Sequence, residues 1–183
     1  MTDARAVRRL HWGCGSWTPE DWINSDIADE PGVDLPGDIL AGLPLDDDAI
    51  DYAVSIHALP ELHLDTQVSA LRELRRVLKP GGVLRLGLPN LLNGVAAYER
   101  GERGYFLVPD EDAASIGSKL VLQLMWYGHI RTLFVPEFIE ELLRAAGFPS
   151  IHHVGFQQTR SPFPEIVALD NREDESLFVE AVK

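Results

Sequence analysis

Short runs of apolar and β-branched residues, each bounded by glycine, proline or acidic residues, recur along the chain and predict β-strands. The clearest run is IDYAVSIHAL at residues 50–59, which follows three consecutive aspartates and predicts a buried strand. Six shorter runs predict further strands, at residues 8–12, 22–26, 33–40, 83–88, 151–156 and 177–182. Of these, residues 33–40 predict the weakest strand because a proline and a glycine interrupt them.

Helical spacing of apolar residues marks three other stretches. Residues 65–78 carry one apolar face, and Asp65 is the expected N-cap. A second helix is expected to begin at Pro136, at a first helical position, and to end just before Gly147. Residues 113–126 predict a third, amphipathic helix.

The order of these elements indicates the fold class. Strands that alternate with helices predict βαβ units and an α/β fold with a mostly parallel sheet. The last two strands follow one another without a helix, which predicts an antiparallel hairpin at one edge. With 183 residues the chain is expected to be one domain, residues 1–183. Residues 91–134 interrupt the alternation, and they are either a lid over the ligand crevice or an extra packing helix.

Composition excludes several classes of protein. The chain is 45% apolar and 25% charged, as globular proteins are, and its single cysteine cannot form an internal disulfide. It has no apolar run long enough for a membrane helix, and its N-terminal residues lack the apolar core of a signal peptide. We therefore expect a cytoplasmic protein that does not associate with membranes.

The net charge of −13 is concentrated in one third of the chain. Residues 10–71 hold thirteen acidic residues and no lysine or arginine, whereas the remaining residues are balanced. Such a surface repels phosphate backbones and disfavours nucleic-acid binding. The acidic residues form either a solvated face or the lining of a site for hydroxyl-rich or cationic ligands.

Ligands of such sheets bind at the carboxyl ends of the strands, where two features stand out. The turn Gly13-Cys14-Gly15 follows the first strand, but it lacks the third glycine of the dinucleotide fingerprint. Asp26 ends the second strand, where a carboxylate can accept hydrogen bonds from both ribose hydroxyls. A ribose without a phosphate loop indicates S-adenosylmethionine, whose positive charges suit acidic surroundings.

Five segments then carry a family resemblance: LHWGCG, WINSD, GDILAGLPLDDDAIDYAVSIHAL, LRELRRVLKPGGVLRLGLPN and YGHIRTLFVPEFIEELLRAAGF. Together they resemble class I S-adenosylmethionine-dependent methyltransferases, in the small methyltransferase type 11-like group with a shortened glycine motif. The resemblance covers most of the chain except residues 91–126 and 159–174. It implies a Rossmann-like seven-stranded sheet with helices on both faces.

The resemblance also implies a function and a set of site residues. The chain is expected to use S-adenosylmethionine to methylate a small-molecule acceptor, and a homodimer is compatible with the sequence. The implied cofactor-binding residues are Gly13, Cys14, Gly15, Asp26, Asp38, Ile39, Ser55 and His57. Simpler explanations compete for three of them: Asp38 and Cys14 as turn residues, and His57 as a packed histidine at a strand end.

Two departures from the family pattern keep a second hypothesis open. Trp17 stands where the family has its third glycine, and only six residues separate Gly15 from Trp22, so the first crossover helix must be a stub. After the fourth strand the chain reads Leu59-Pro60-Glu61, where the family often has L-E-H. The alternative is a non-catalytic module of this fold, either a cofactor sensor or a partner subunit. A nicotinamide-dependent reductase is disfavoured because the glycine fingerprint is missing.

A base is needed if the acceptor must lose a proton. His57 and His129 are the candidate catalytic residues because imidazole titrates near neutral pH, although His129 is equally compatible with a structural role. The neighbouring His152 and His153 alternate across a strand and cannot both face one ligand. No His, Cys and carboxylate cluster has zinc-like spacing, so no metal is expected.

Overall fold

The computed structural model describes residues 7–183, and in them the expected strands form one mixed sheet. The strands are β1 (Arg9–Trp12), β2 (Ile23–Asp26), β3 (Leu35–Pro36), β4 (Ile50–Ile56), β5 (Leu78–Pro89), β6 (Ser150–Val154) and β7 (Ser176–Val182). Their order in the sheet is β3-β2-β1-β4-β5-β7-β6. The first five strands are parallel, and β7 runs antiparallel to both β5 and β6. The predicted fold class is confirmed.

Four α-helices surround or follow the strands: α1 (Leu64–Val77), α2 (Leu91–Glu99), α3 (Ile116–Met125) and α4 (Pro136–Ala145). Gly147 has a φ of 97° directly beyond α4, as predicted for the residue after a helix end. The predicted N-cap of α1 is wrong. His63 occupies that position, and Asp65 lies in the first turn, where its charge favours the positive end of the helix dipole. None of the helices in residues 7–183 has the length and apolar character needed to span a membrane.

Two elements differ from the sequence prediction, each for a physical reason. β3 is only two residues long because Pro36 cannot donate a ladder hydrogen bond. Helix α2 was not predicted from the sequence. Its apolar residues do not form one inward face, since Leu92 and Tyr98 are exposed, and Gly94 lies in its middle. Gly94 is buried against Leu120 of α3, so packing between helices stabilises α2 where local propensity does not.

The two faces of the sheet are covered differently. Helices α1 and α4 pack on one face and bury the larger core, which includes Leu10, Ala53 and Leu86. On the other face a smaller core around Tyr52 is covered by residues 163–169, which include a short 3-10 turn. This second covering segment leads along the chain to residues 172–175 at the carboxyl ends of the parallel strands.

A buried charge network holds that segment to the sheet. The guanidinium of Arg85, on β5, is fully buried and donates to Asp170 at 2.7 Å and to Glu180 at 2.9 Å. It also donates to the backbone carbonyls of Gly155 and Gln158. The segment after β6 is therefore fixed by hydrogen bonds to a residue inside the sheet.

Candidate functional site

The glycine turn after β1 is fastened to the end of β2. The backbone N–H groups of Gly13 and Cys14 both donate to the carbonyl of Ser25, at 2.7 and 3.1 Å. Gly13 has a φ of 69°, and a Cβ there would lie 2.1 Å from the Cβ of Ala58. Only glycine allows this backbone conformation together with so close an approach. The turn thus brings the ends of β1, β2 and β4 together.

Asp26, at the end of β2, faces the same turn. Its Oδ2 accepts from the N–H of Gly15 at 2.8 Å, and its Oδ1 accepts from the N–H of Ala28 at 3.1 Å. A carboxylate offers about four lone-pair positions, so each oxygen of Asp26 keeps capacity for one more donor. Nothing lies within 4 Å of the position that a Cβ on Gly15 would occupy. An open backbone surface beside a carboxylate with free lone pairs fits the ribose of S-adenosylmethionine.

Asp38 and Ile39 were also predicted to bind the cofactor, but their side chains lie in different environments. Asp38 is exposed, and its Oδ1 accepts from the N–H of Leu40 at 2.9 Å, which caps the short 3-10 turn at residues 39–41. The side chain of Ile39 is buried in the core beneath α1. Asp38 therefore has a capping role of its own, and the side chain of Ile39 does not line the crevice as expected.

Ser55 and Cys14 are also turned inward. The Ser55 side chain is 1% exposed, and its hydroxyl has no hydrogen-bond partner within residues 7–183. Burial, with the charge of Asp26, raises the pKa of the Cys14 thiol to about 11, so this side chain stays a neutral group in the turn. The predicted contact of these two side chains with the cofactor is not supported, because both lie beneath the surface of the crevice.

His57, directly after β4, points toward β7. Its backbone is left-handed with a φ of 61°, its N–H donates to the carbonyl of Gly87, and its Nε2 lies 2.7 Å from the hydroxyl of Ser176. Burial, with the charge of Arg172, lowers the pKa of His57 to about 3. A histidine with so low a pKa is a weak proton acceptor at neutral pH. The structure favours the packed strand-end histidine over the predicted catalytic base.

His129 directly follows the short 3-10 turn at residues 126–128, beyond α3. It is exposed, and the chain just beyond it is fixed by the N–H groups of Arg131 and Thr132, which donate to the carbonyl of Pro60 at 2.8 and 3.1 Å. Desolvation raises the pKa of Glu61, as does Asp26, whereas His129 and Arg131 lower it. Glu61 therefore interacts with both His129 and Asp26.

Glu61 was not among the predicted site residues, since its neighbourhood departs from the family pattern. The sequence indication that Glu61 belongs to the site was its position, five residues after the end of β4.

A second recess lies farther along the same sheet edge, beside the ends of β5 and β7. It is a cleft of about 480 Å³, lined by residues 104, 105, 107, 123, 126 and 172–175. A smaller hollow next to it reaches Pro89 and Asn90 and shares Tyr105, Gln123 and Glu175 with the cleft. These residues were also missed from the sequence, because they come from segments that meet only in the folded chain. Within residues 7–183 no group of three His, Cys, Asp or Glu side chains is arranged to hold a metal ion.

The sheet order, with the glycine turn after β1 and the acid after β2, is that of a Rossmann-like fold, in which ligands bind at the carboxyl ends of the strands. Known proteins share this fold. The family model described as "Methyltransferase domain" matches residues 22–86. No curated protein sequence matches this chain.

Solved structures share the fold over nearly the whole chain. A methyltransferase from Thermotoga maritima, described as a possible histamine N-methyltransferase, has a TM-score of 0.59 and 19% identity, over 97% of this chain and 83% of that one. One from Archaeoglobus fulgidus has a TM-score of 0.61 and 14% identity, over 97% and 87%. One from Mesorhizobium loti has a TM-score of 0.57 and 18% identity, over 97% and 91%. All three are described as dependent on S-adenosylmethionine.

The resemblance to class I S-adenosylmethionine-dependent methyltransferases is thereby confirmed, through the family model over residues 22–86 and the fold over the chain as a whole. The family and the fold imply S-adenosylmethionine as the cofactor.

Proposed function

We propose that this chain is an S-adenosylmethionine-dependent methyltransferase that acts on a small-molecule acceptor. The observation that carries the proposal is the carboxylate of Asp26, held by Gly15 and Ala28 with lone pairs to spare. In the proposal these lone pairs accept the two ribose hydroxyls. The open surface of Gly15 lies against the amino-acid part of the cofactor.

The bound cofactor supplies a methyl group activated by a positively charged sulfur. The chain positions the two reactants and excludes water from them. Both favour transfer of the methyl group, because the positive charge on the sulfur is dispersed as the reaction proceeds. In this proposal residues 91–134 act as the lid that covers the reactants. Their α2 and α3 pack together through Gly94 and Leu120, and the far end of the segment pairs with the sheet edge where Asn90 bridges Phe134.

Proton removal from the acceptor is assigned to His129. Its side chain is exposed, whereas the imidazole of His57 contacts the hydroxyl of Ser176. Glu61 is assigned to the same part of the site because the charge of His129 lowers the pKa of Glu61. The proposed site is thus Asp26 and Gly15 for the cofactor, with His129 and Glu61 for the proton.

A cytoplasmic location is part of the same proposal. Cys14 is a free thiol, buried in the turn, and its environment raises rather than lowers its pKa. A chain with one unreactive thiol suits a reducing compartment.

A non-catalytic module is the second candidate. It is favoured by the inward orientation of Ile39, Ser55 and Cys14, which leaves few side chains for contact with the cofactor. Such a module would bind the cofactor through Asp26 without transferring its methyl group.

Transfer of an isotope-labelled methyl group separates the two candidates. The wild-type chain is incubated with labelled S-adenosylmethionine and a panel of small amines, phenols and carboxylic acids. The proposal expects label in an acceptor and a much slower transfer in His129→Ala, with His152→Ala as the matched control. Cofactor binding without transfer to any acceptor would instead support the module.

A further inference from the structure

The cleft beside β5 and β7 has the composition of a binding site for a charged organic molecule. Its apolar lining comes from Tyr105, Leu107 and Trp126, and its polar lining from Gln123 and residues 172–175. Glu175 immediately precedes Ser176, which contacts His57 at the end of β4. The cleft therefore adjoins the carboxyl edge of the sheet at which the cofactor is proposed to bind.

One wall of the cleft already holds a cation of the chain itself. The guanidinium carbon of Arg172 lies 5.9 Å from the ring centroid of Trp126. The same guanidinium donates to Oε1 of Glu175 at 3.1 Å. An aromatic face opposite a carboxylate is the arrangement that binds organic cations. Arg172 itself fills this arrangement, so the cation of a ligand must pair with other acids of the cleft.

The rest of the lining carries negative charge in excess. Glu173 and Asp174 lie on the cleft and form no ion pair within residues 7–183, whereas Glu175 is paired with Arg172. Inside the cleft, burial raises the pKa of Tyr105 to about 12, and Glu175 and Asp174 contribute to the increase. The electrostatic potential of these acids therefore extends to the aromatic wall.

We infer that this cleft binds the methyl acceptor and that the acceptor has an aromatic body and a cationic amine. The inference rests on the proposed function, since it assigns the substrate class of that reaction. The aromatic body packs against Tyr105 and Trp126, and the ammonium faces Glu173 and Asp174. The ammonium is an anchor and another atom receives the methyl group, because these acids keep the amine protonated and its lone pair engaged.

Three probes with one phenyl ring and different charge test the inference directly: phenethylamine, 2-phenylethanol and 3-phenylpropanoate. Each is titrated into the full chain by calorimetry, with and without saturating S-adenosylhomocysteine. The expected result is that phenethylamine binds about tenfold more tightly than 2-phenylethanol, with 3-phenylpropanoate the weakest. Equal affinities for phenethylamine and 2-phenylethanol would overturn the inference.

The double variant Glu173→Gln with Asp174→Asn tests the source of the preference. It keeps the size of both side chains and should bring the affinity for phenethylamine close to that for 2-phenylethanol, whose own affinity stays unchanged. Glu141→Gln, on the exposed side of α4, removes one charge elsewhere and should leave the preference intact. A preference that survives the double variant would contradict the assignment to these acids.

Cofactor binding by the same wild-type sample separates this inference from the proposed function. Binding of S-adenosylhomocysteine without a preference for the cation overturns the inference and leaves the methyltransferase proposal standing. A preference for the cation without cofactor binding overturns the methyltransferase proposal and, with it, the identity of the cleft as an acceptor site.

Discussion

Two proposed binding regions lie along the same edge of the sheet, and they are built in different ways. The glycine turn at the ends of β1 and β2 is held by backbone hydrogen bonds between neighbouring strand ends, and its carboxylate, Asp26, accepts from two backbone N–H groups. The cleft beside β5 and β7 is made by side chains from residues 104–126 and 172–175, which are distant in sequence.

This difference separates the two proposed functions of the sheet edge. The cofactor is proposed to bind a short motif on the central strands. The acceptor is proposed to bind residues 104–126 and 172–175, and the buried network around Arg85 fixes the segment that leads to residues 172–175.

The largest expected effect concerns the network that supports the second recess. Arg85→Met should lower the free energy of unfolding by about 3–5 kcal/mol, because Asp170 and Glu180 would be left as buried charges without their cationic partner. Chemical denaturation measures the loss. Arg144→Met is the matched control, since its pair with Glu140 is exposed and is expected to contribute about 0–1 kcal/mol. Similar losses in both variants would contradict the assigned role of the network.

The next effect compares the two glycines of the turn after β1. Gly13→Ala should cost about 2–4 kcal/mol of stability, since its new Cβ meets Ala58 and its φ is left-handed. Gly15→Ala should cost about 1–2 kcal/mol, because only the backbone conformation is unfavourable there. Thermal unfolding of both variants checks the difference, and equal losses would show that the approach of Ala58 is not restrictive.

A smaller effect is expected on binding at Asp26. Asp26→Ala should weaken the affinity for S-adenosylmethionine about 10- to 100-fold, because two hydroxyl donors of the ribose lose a charged acceptor. Isothermal titration calorimetry gives the affinity. Asp29→Ala, three residues farther along and exposed, should leave it unchanged. An unchanged affinity in Asp26→Ala would remove this residue from the proposed site.

The smallest effect, taken per pH unit, is the dependence of stability on pH. The pKa of His57 is lowered to about 3 and that of His11 to about 4, both mainly by burial, against an ordinary value of 6.5. Between those values and 6.5 the unfolded chain binds more protons than the folded chain, so stability falls as the pH drops below 6.5. Each residue contributes at most about 1.4 kcal/mol per pH unit.

Unfolding free energies measured between pH 7 and pH 4 check this dependence. His57→Asn should flatten the pH profile while tolerating the left-handed backbone at this position. His129→Asn, at an exposed position, should show the same dependence of unfolding free energy on pH as the wild type. Parallel profiles for all three proteins would contradict the role given to burial of His57.

The sequence predicted the parts of the molecule that depend on local pattern. The strand β4 and the helices α1 and α4 follow from periodicity, and the positions of Gly13 and Asp26 follow from the rule that ligands bind at strand ends. The direction of individual side chains did not follow, since a one-residue offset in a strand turns a side chain to the other face. Ser55, on β4, is therefore buried where contact with the cofactor was expected. Ile39 is buried for another reason, since it lies in the 3-10 turn at residues 39–41, which packs against α1.

The remaining parts depend on contacts between distant segments. His57 was expected to be a candidate base, but its contact with Ser176 and its burial come from β7, far away in the sequence. The cleft needs Tyr105, Trp126 and Glu175 together, and no local pattern connects these residues. Glu61 was the most predictable of the missed residues, because it lies only five residues after the end of β4.

The most direct test of the central claim is a calorimetric titration of the wild-type chain with S-adenosylmethionine and S-adenosylhomocysteine. The account predicts saturable binding of one molecule of either ligand per chain, and a thermal stabilisation that corresponds to about 2.7 kcal/mol when the ligand is at 100 times its Kd. The absence of both heat and stabilisation at millimolar ligand would contradict the claim that this sheet edge binds the cofactor.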